Sequence, residues 1–119
     1  MLNFIQYTKN HEDAVKKFNM RLSAQNKKNK FSETYNSQTF PEKEGVNIFQ
    51  NYFLAIEDDK VRGGYILKNQ LFKFDTEIKP IMDYQLPVSE GIINKKYNLL
   101  ASMMVINAVK RNENLFALG

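Results

Sequence analysis

The spacing of apolar residues changes several times along this chain, and each change marks a predicted element. Residues 2–8 alternate loosely between apolar and polar, which predicts a short first strand. A helix is then expected to begin near Asn10 or His11, because the apolar residues that follow have helical spacing: Val15, Phe18 and Leu22. From residue 24 to residue 45 the periodicity disappears, and this stretch predicts a long polar loop.

A β-hairpin is predicted in the middle of the chain. Residues 51–57 are rich in aromatic and branched side chains, and residues 61–67 return as a second strand after an Asp-Asp-Lys turn. Gly63 and Gly64 lie inside the return strand, where two glycines indicate a bulge or the close approach of another backbone or a ligand. Residues 71–75 alternate again and predict a further short strand or an extension of the hairpin.

The last third of the chain predicts a strand, a turn, a long helix and a final strand. Residues 78–86 form the strand, and the turn that follows contains a proline and a glycine. A helix of about five turns is expected from five apolar residues at helical spacing: Ile93, Tyr97, Leu100, Met104 and Ala108. Residues 115–118 then begin a last strand.

The composition favours one small domain that spans residues 1–119. Hydrophobic residues make up 43% of the chain, so it can form a core, and no apolar run is long enough to cross a bilayer. The absence of cysteine excludes disulfides and thiolate metal sites and agrees with a cytoplasmic protein. A single histidine without metal-ligand spacing gives no reason to expect a metal cofactor, and His11 is expected to cap the helix or lie on the surface.

The positive charge of the chain is concentrated in one segment. Net charge is +4, and six basic residues lie within residues 16–30: Lys16, Lys17, Arg21, Lys27, Lys28 and Lys30. Two interpretations remain open, a solvated helix face that runs into the loop and a surface that binds a polyanion. Few aromatic residues accompany the run, which argues against a nucleic-acid partner.

Three stretches resemble the GNAT acyltransferase superfamily: the hairpin FLAIEDDKVRGGYIL, the strand and turn IMDYQLPVSEGI, and the helix NKKYNLLASMMVINAVKRN. The order of predicted elements is similar to the N-terminal two-thirds of that fold. The resemblance implies an α+β domain with a mostly antiparallel mixed sheet and flanking helices, truncated after the fifth strand. Either the chain is a fragment or another chain completes the fold, and an unpaired sheet edge would favour a homodimer.

The same resemblance implies acetyl-CoA or another acyl-CoA as co-substrate and an amine of unknown identity as acceptor. Pantetheine would lie near Tyr84, Gln85 and Leu86, beside the fourth strand of the family fold. The pyrophosphate would rest on backbone N–H groups at the start of the following helix, near Ser89, Glu90, Gly91, Ile92 and Ile93. Lys95 and Lys96 would supply positive potential there.

The carboxylates near the turn are the candidates for the base that deprotonates the amine: Glu90, Asp83 and Glu57. The alternative for each is an ordinary solvent-exposed carboxylate. Two departures weaken the pattern, because the turn has one glycine and Glu90 places a negative charge where phosphates would bind. The sequence thus leaves three functions open: an acyl-CoA-dependent N-acyltransferase, a non-catalytic interaction module that keeps the fold, and a polyanion-binding domain.

Overall fold

Six strands pair into one sheet that is flanked by two helices, in a computed structural model that describes residues 1–25, 39–43, 46–111 and 115–118. The strands are β1 (Asn3–Gln6), β2 (Thr39–Lys43), β3 (Val46–Glu57), β4 (Lys60–Phe74), β5 (Glu77–Ser89) and β6 (Leu115–Leu118). The helices are α1 (Glu12–Ala24) and α2 (Leu100–Arg111), and short 3₁₀ turns at Lys9–His11, Glu90–Ile92 and Lys95–Tyr97 precede them.

The sheet is antiparallel apart from one pair of strands. Its order is β1-β3-β4-β5-β6, and β2 pairs with the beginning of β3. All described neighbours run antiparallel except β5 and β6, which run parallel because α2 carries the chain back between them. The predicted α+β class, with a mostly antiparallel sheet and flanking helices, is confirmed.

Both faces of the sheet are covered, each by one helix. Along β3, Tyr52 and Leu54 point to one face while Phe53 and Ala55 point to the other, as the period of a strand requires. The first face packs on α1 through its predicted apolar residues: Val15, Phe18 and Leu22. The second face packs on α2 through Leu100, Met104 and Ala108. The two helical stripes therefore fill two separate cores.

The predicted hairpin is present as β3 and β4, joined by a tight turn at Asp58 and Asp59. Both turn residues have positive φ, 55° and 60°, which suits a two-residue hairpin turn. A Cβ added to Gly63 would lie 2.9 Å from the carbonyl oxygen of Val88 and 3.0 Å from Sδ of Met104. The interpretation of the two glycines as a bulge or a close approach is confirmed, since the β3–β4 register also shifts beside Gly63.

The long helix predicted from Ile93 is wrong at its N-terminal end, because α2 begins only at Leu100. Upstream of α2, two side chains accept hydrogen bonds from nearby backbone N–H groups and interrupt the predicted helix. Ser89 Oγ accepts the Gly91 N–H at 3.0 Å, and Asn94 Oδ1 accepts the Lys96 N–H at 3.0 Å. Such local side-chain bonds compete with the helix and produce the two 3₁₀ turns. The apolar period continued through these turns, so the pattern alone did not reveal the break.

Of the two alternatives for residues 71–75, the extension of the hairpin is present, since β4 runs without interruption to Phe74. Within the stretch predicted as a loop, β2 forms a strand at Thr39–Lys43, and residues 26–38 and 44–45 lie outside the described part of the chain. The predicted first helix is confirmed as α1, with its start at Glu12.

Candidate functional site

A bulge interrupts β5 at the turn that the sequence singled out. Gly64 and Ile66 of β4 pair with Val88 and Gln85, so two residues of β5 face the single residue between them. Leu86, the first of those two, has a positive φ of 48° and an exposed side chain. On the other edge of β5, β6 pairs only from Met82 to Tyr84 over its described length. The edge of β5 beyond Tyr84 therefore faces no described strand.

The residues predicted to line the pantetheine lie in three different environments. Tyr84 is only 3% exposed, because its ring packs toward α2 with its centroid 5.1 Å from that of Tyr65. Burial and the nearby Tyr65 raise the pKa of Tyr84 to about 12. Gln85 is partly buried and donates a hydrogen bond to Asp83 at 2.8 Å. Of the three side chains, only that of Leu86 is exposed. A ligand at this edge would therefore contact the backbone of β5 more than its side chains.

The turn that was predicted to hold pyrophosphate uses most of its backbone donors internally. The N–H of Gly91 donates to Ser89 Oγ, and those of Ile93 and Asn94 both donate to the Glu90 carbonyl at 3.0 Å. A Cβ on Gly91 would lie 2.3 Å from the Tyr97 carbonyl oxygen, so close packing explains this glycine. Because α2 begins at Leu100, the turn does not stand at the N-terminus of an α-helix.

Glu90 is buried between two arginines. Its Oε1 accepts from Arg21 Nε at 2.7 Å and its Oε2 accepts from Arg62 Nη1 at 2.7 Å, while its side chain is 3% exposed. One carboxylate with two guanidinium groups carries a net charge of +1. The concern that Glu90 would repel phosphates is thus removed, and the same contacts assign it a structural role. A buried carboxylate whose two oxygens each accept a hydrogen bond from an arginine is poorly placed to accept a proton from a substrate.

Glu57 ends β3 within a second polar cluster beside the same turn. Its carboxylate accepts a hydrogen bond from the Tyr97 hydroxyl at 2.8 Å and lies 3.4 Å from Lys96 Nζ. The N-terminal ammonium of Met1 is 3.7 Å away. The Tyr97 hydrogen bond, followed by the charge of Lys96, lowers the pKa of Glu57 below its ordinary value. Glu57 in turn gives Lys96 a partner inside the protein.

The three candidate carboxylates are not gathered around one point. Arg62 links two of them, because it binds Glu90 and its guanidinium carbon lies 5.0 Å above the ring of Tyr97, the partner of Glu57. Asp83 is buried in β5, opposite Lys68 on β4 and several residues before the bulge. Glu57 has the most accessible carboxylate of the three, with a side chain 16% exposed.

Sequence reasoning missed the three residues that organise this region: Arg21, Arg62 and Tyr97. Arg21 was counted only as part of the basic run, although it also donates to the carbonyl oxygen of Val61. Tyr97 was assigned to the apolar face of a helix, but its hydroxyl reaches the end of β3. One signal was available, since a glutamate that is buried after a strand requires cationic partners. The sequence offered no way to choose them among seventeen basic residues.

The basic run is partly used within the protein. Lys16 forms an i,i+4 pair with Glu12 at 3.8 Å, and Arg21 is bound to Glu90. Lys17 lines a cleft of about 400 Å³ between α1 and the β3–β4 turn, where Asp13, Asp58 and Asp59 supply compensating charge. The other three lysines lie outside the described residues. The three described basic residues thus lie beside acidic groups on one helix face. For these residues the structure agrees with a solvated helix face, one of the two interpretations of the basic run.

Two other features bear on the classes of function. His11 accepts the Thr8 N–H on Nδ1 at 2.9 Å, and so it caps the turn before α1, as predicted. Among the described residues, acidic, histidine and cysteine side chains form no group of three that could hold a metal ion. Over the same part of the chain, no helix has the length and apolar character that crossing a bilayer requires.

Comparisons of this chain with protein-family models, with curated proteins and with solved structures found no match. The function is therefore argued from the geometry of β5 and the turn that follows it.

Proposed function

We propose that this chain binds acyl-CoA along the free edge of β5 and belongs to an N-acyltransferase of the GNAT type. One observation carries the proposal: β5 is bulged at Leu86, two residues beyond Tyr84, which pairs with the last described residue of β6. The strand order and the parallel β5–β6 pair, with a helix between these two strands, also agree with the sequence resemblance.

The physical basis of the proposal is the side of residues 85–88 that faces away from β4, since no described strand pairs with it. A strand edge binds extended ligands that carry amide groups, because each amide can replace a missing neighbour in the ladder. The pantetheine arm of coenzyme A is such a ligand, an extended chain with two amides. A bulge bends its strand and locally disrupts the ladder, and we propose that this leaves room for that arm. Tyr65, which lies opposite the bulge on β4, and Tyr84, which precedes it on β5, are both buried, with ring centroids 5.1 Å apart.

The phosphate end of the ligand would depend on side-chain charge more than on backbone donors. The Arg21–Glu90–Arg62 cluster contributes a net +1, and Lys95 is exposed in the next turn. Because the turn bonds several of its own N–H groups, we expect weaker phosphate binding than a glycine-rich helix start provides. For the proton transfer, we assign Glu57 as the candidate base, since it is the most accessible of the three carboxylates.

A second candidate function is ligand or partner binding without catalysis. The burial of Asp83 and Glu90 favours it, because two of the three candidate bases are enclosed by the fold. The extent of β5–β6 pairing also bears on the choice. An acyl-CoA slot requires the two strands to separate, and pairing through Tyr84 means that any separation begins after that residue.

Titration of ¹⁵N-labelled protein with acetyl-CoA tests the binding step. We expect amide shifts at Gln85 and Val88 and at the turn around Gly91, whereas α1 amides should not move. Acetyl-pantetheine should reproduce the shifts on β5, and adenosine 3′,5′-bisphosphate should reproduce those at the turn. If all three compounds leave residues 84–96 unchanged, the proposal is wrong.

A pair of lysine variants sharpens the test. Lys95→Gln removes an exposed charge beside the turn, and we expect it to weaken acetyl-CoA binding about threefold. Lys110→Gln removes an equally exposed charge at the far end of α2 and should bind as the parent does. Equal effects of the two changes would indicate only a general electrostatic attraction. Release of free thiol from acetyl-CoA with a panel of primary amines then separates a transferase from a binding module.

A further inference from the structure

The outer face of α2 carries an apolar stripe that the fold leaves exposed. Leu99, Met103, Ile106 and Val109 follow one another at helical spacing, and each is between 42% and 67% exposed. The inner face of the same helix is already occupied, since Leu100, Met104 and Ala108 are buried against the sheet. α2 is therefore apolar on two sides, although its packing in this domain accounts for only one of them.

Lysine residues lie at both ends of the stripe. Lys110 follows Ile106 by one helical turn, and Lys96 lines the same cavity as Leu99. The carboxylate of Glu57 offsets part of the Lys96 charge, while the neighbouring Lys95 is exposed. Residues 91–112 contain no aspartate or glutamate, so no carboxylate from this part of the chain compensates the lysines.

A small cavity opens at the N-terminal end of the stripe. Its volume is about 240 Å³, and its lining combines apolar residues with Tyr97 and the Glu57–Lys96 pair. The apolar residues are Leu2, Leu99, Leu100 and Met103. That volume suits one or two large apolar side chains inserted from outside. A stripe with a pocket at one end is the shape that an anchored helix recognises, because one deeply seated side chain then contributes most of the affinity.

We propose that this face binds an amphipathic helix of a partner protein, with carboxylates at both ends of its apolar stripe. The apolar side chains of the partner would cover the four exposed residues of the stripe, and one of them would enter the cavity beside Leu99, which immediately precedes α2. Its carboxylates would meet Lys110 at one end and Lys95 with Lys96 at the other. Helix-in-groove recognition of this kind uses anchors at i, i+3 or i+4 and i+7.

Charge complementarity separates this occupant from a second copy of the chain. In an antiparallel pair of α2 helices, Lys110 of each copy would approach Lys96 of the other, and in a parallel pair Lys110 would approach its own equivalent. Both arrangements place like charges together at the ends of the stripe. A lipid surface is also less suitable, because a bilayer presents no fixed side chain to fill the cavity.

Fluorescence anisotropy with designed peptides tests the proposal directly. The probe is a labelled 18-residue helix with a leucine stripe flanked by glutamates, and the comparison peptide carries lysines in their place. We expect the glutamate peptide to bind and to shift the amides of α2, with binding that weakens as salt is raised. The double change Met103→Ser and Ile106→Ser should weaken binding at least about tenfold. Met20→Ser, which alters an exposed apolar residue on α1, should leave binding unchanged.

Four outcomes would overturn the proposal: no binding of either peptide, equal binding of both, binding to anionic vesicles in place of the peptide, or self-association that Ile106→Ser abolishes. The peptide site shares Lys95, Lys96 and the Glu57-lined cavity with the proposed acyl-CoA site, so peptide binding is measured without acetyl-CoA. Loss of peptide binding in the Met103→Ser and Ile106→Ser variant with acetyl-CoA shifts retained distinguishes the two proposals. Circular dichroism of the double variant confirms that the fold is retained, since both changed residues are exposed.

Discussion

The guanidinium Nε of Arg21 lies 2.7 Å from Oε1 of Glu90, across 69 residues of sequence. This contact joins α1 to the turn after β5, and Arg62 binds the other carboxylate oxygen from β4. Three elements are therefore held together by one buried carboxylate. The turn owes its position to this cluster, so the cluster is the first place to test the fold.

We expect Glu90→Gln to lower the free energy of unfolding by about 2–4 kcal/mol, because it leaves two partly buried arginines without a countercharge. Urea denaturation measures the change. The matched control is Glu12→Gln, which removes the exposed i,i+4 partner of Lys16 and should cost at most about 0.5 kcal/mol. Equal effects of the two substitutions would contradict the structural role of Glu90.

Two buried tyrosines that contact each other should respond in opposite ways to loss of the hydroxyl. Among the described residues the buried Tyr84 hydroxyl has no hydrogen-bond partner, so Tyr84→Phe should be neutral or stabilise the fold by about 1 kcal/mol. The Tyr65 hydroxyl donates to Asn107 at 2.5 Å and accepts from Arg111, so Tyr65→Phe should destabilise by about 1–2 kcal/mol. Thermal unfolding compares the two variants, and a large loss for Tyr84→Phe would mean that its hydroxyl has an unseen partner.

The raised pKa of Tyr84 predicts how the stability of the fold changes at alkaline pH. Its pKa is about 12 in the folded chain and near 10 when unfolded, so above pH 10 the unfolded state loses this proton first. Stability should therefore fall between pH 10 and 12. Tyr84→Phe should reduce this slope, which urea denaturation at several pH values measures, and an unchanged slope would contradict the assignment.

The lowered pKa of Glu57 predicts that stability falls when the pH is lowered in the acid range. Its pKa lies below the ordinary value of 4.5, chiefly because of the Tyr97 hydrogen bond, so its stabilising effect is present at neutral pH and lost as pH falls through the lowered pKa. Tyr97→Phe should raise the pKa of Glu57 toward 4.5, as followed by the ¹³C shift of its carboxyl group. Tyr65→Phe serves as the control and should leave that titration unmoved.

The two structurally explained glycines should differ in their tolerance of alanine. A Cβ at Gly91 meets the backbone carbonyl of Tyr97 at 2.3 Å, and we expect Gly91→Ala to cost about 3 kcal/mol because backbone must move. At Gly63 the nearest atom is the Val88 carbonyl oxygen at 2.9 Å, and the other two belong to the flexible ends of Met104 and Leu100, so Gly63→Ala should cost less, about 2 kcal/mol. Denaturant midpoints give the comparison, and the reverse order would contradict the close packing of the turn.

The sequence determined the elements whose signal is local. The apolar spacing of Val15, Phe18 and Leu22 identified α1, because helix period and core burial select the same residues. The acidic turn between two β-rich runs identified the β3–β4 hairpin for a similar reason, since Asp58 and Asp59 tolerate the positive φ that the turn requires. The predicted apolar face of the last helix is also confirmed for Leu100, Met104 and Ala108.

Tertiary structure decided the rest, because the relevant interactions connect distant parts of the chain. The sequence identified the turn and its residues but made Glu90 a candidate base, and only the fold brings Arg21 and Arg62 to it. The same limit applies to the start of α2, where Tyr97 keeps the helical spacing yet bonds to Glu57 on β3. The spacing of apolar residues along the chain predicts which face of a helix or strand is buried. It does not predict which distant residue a side chain contacts, because that depends on how the helices and strands pack together.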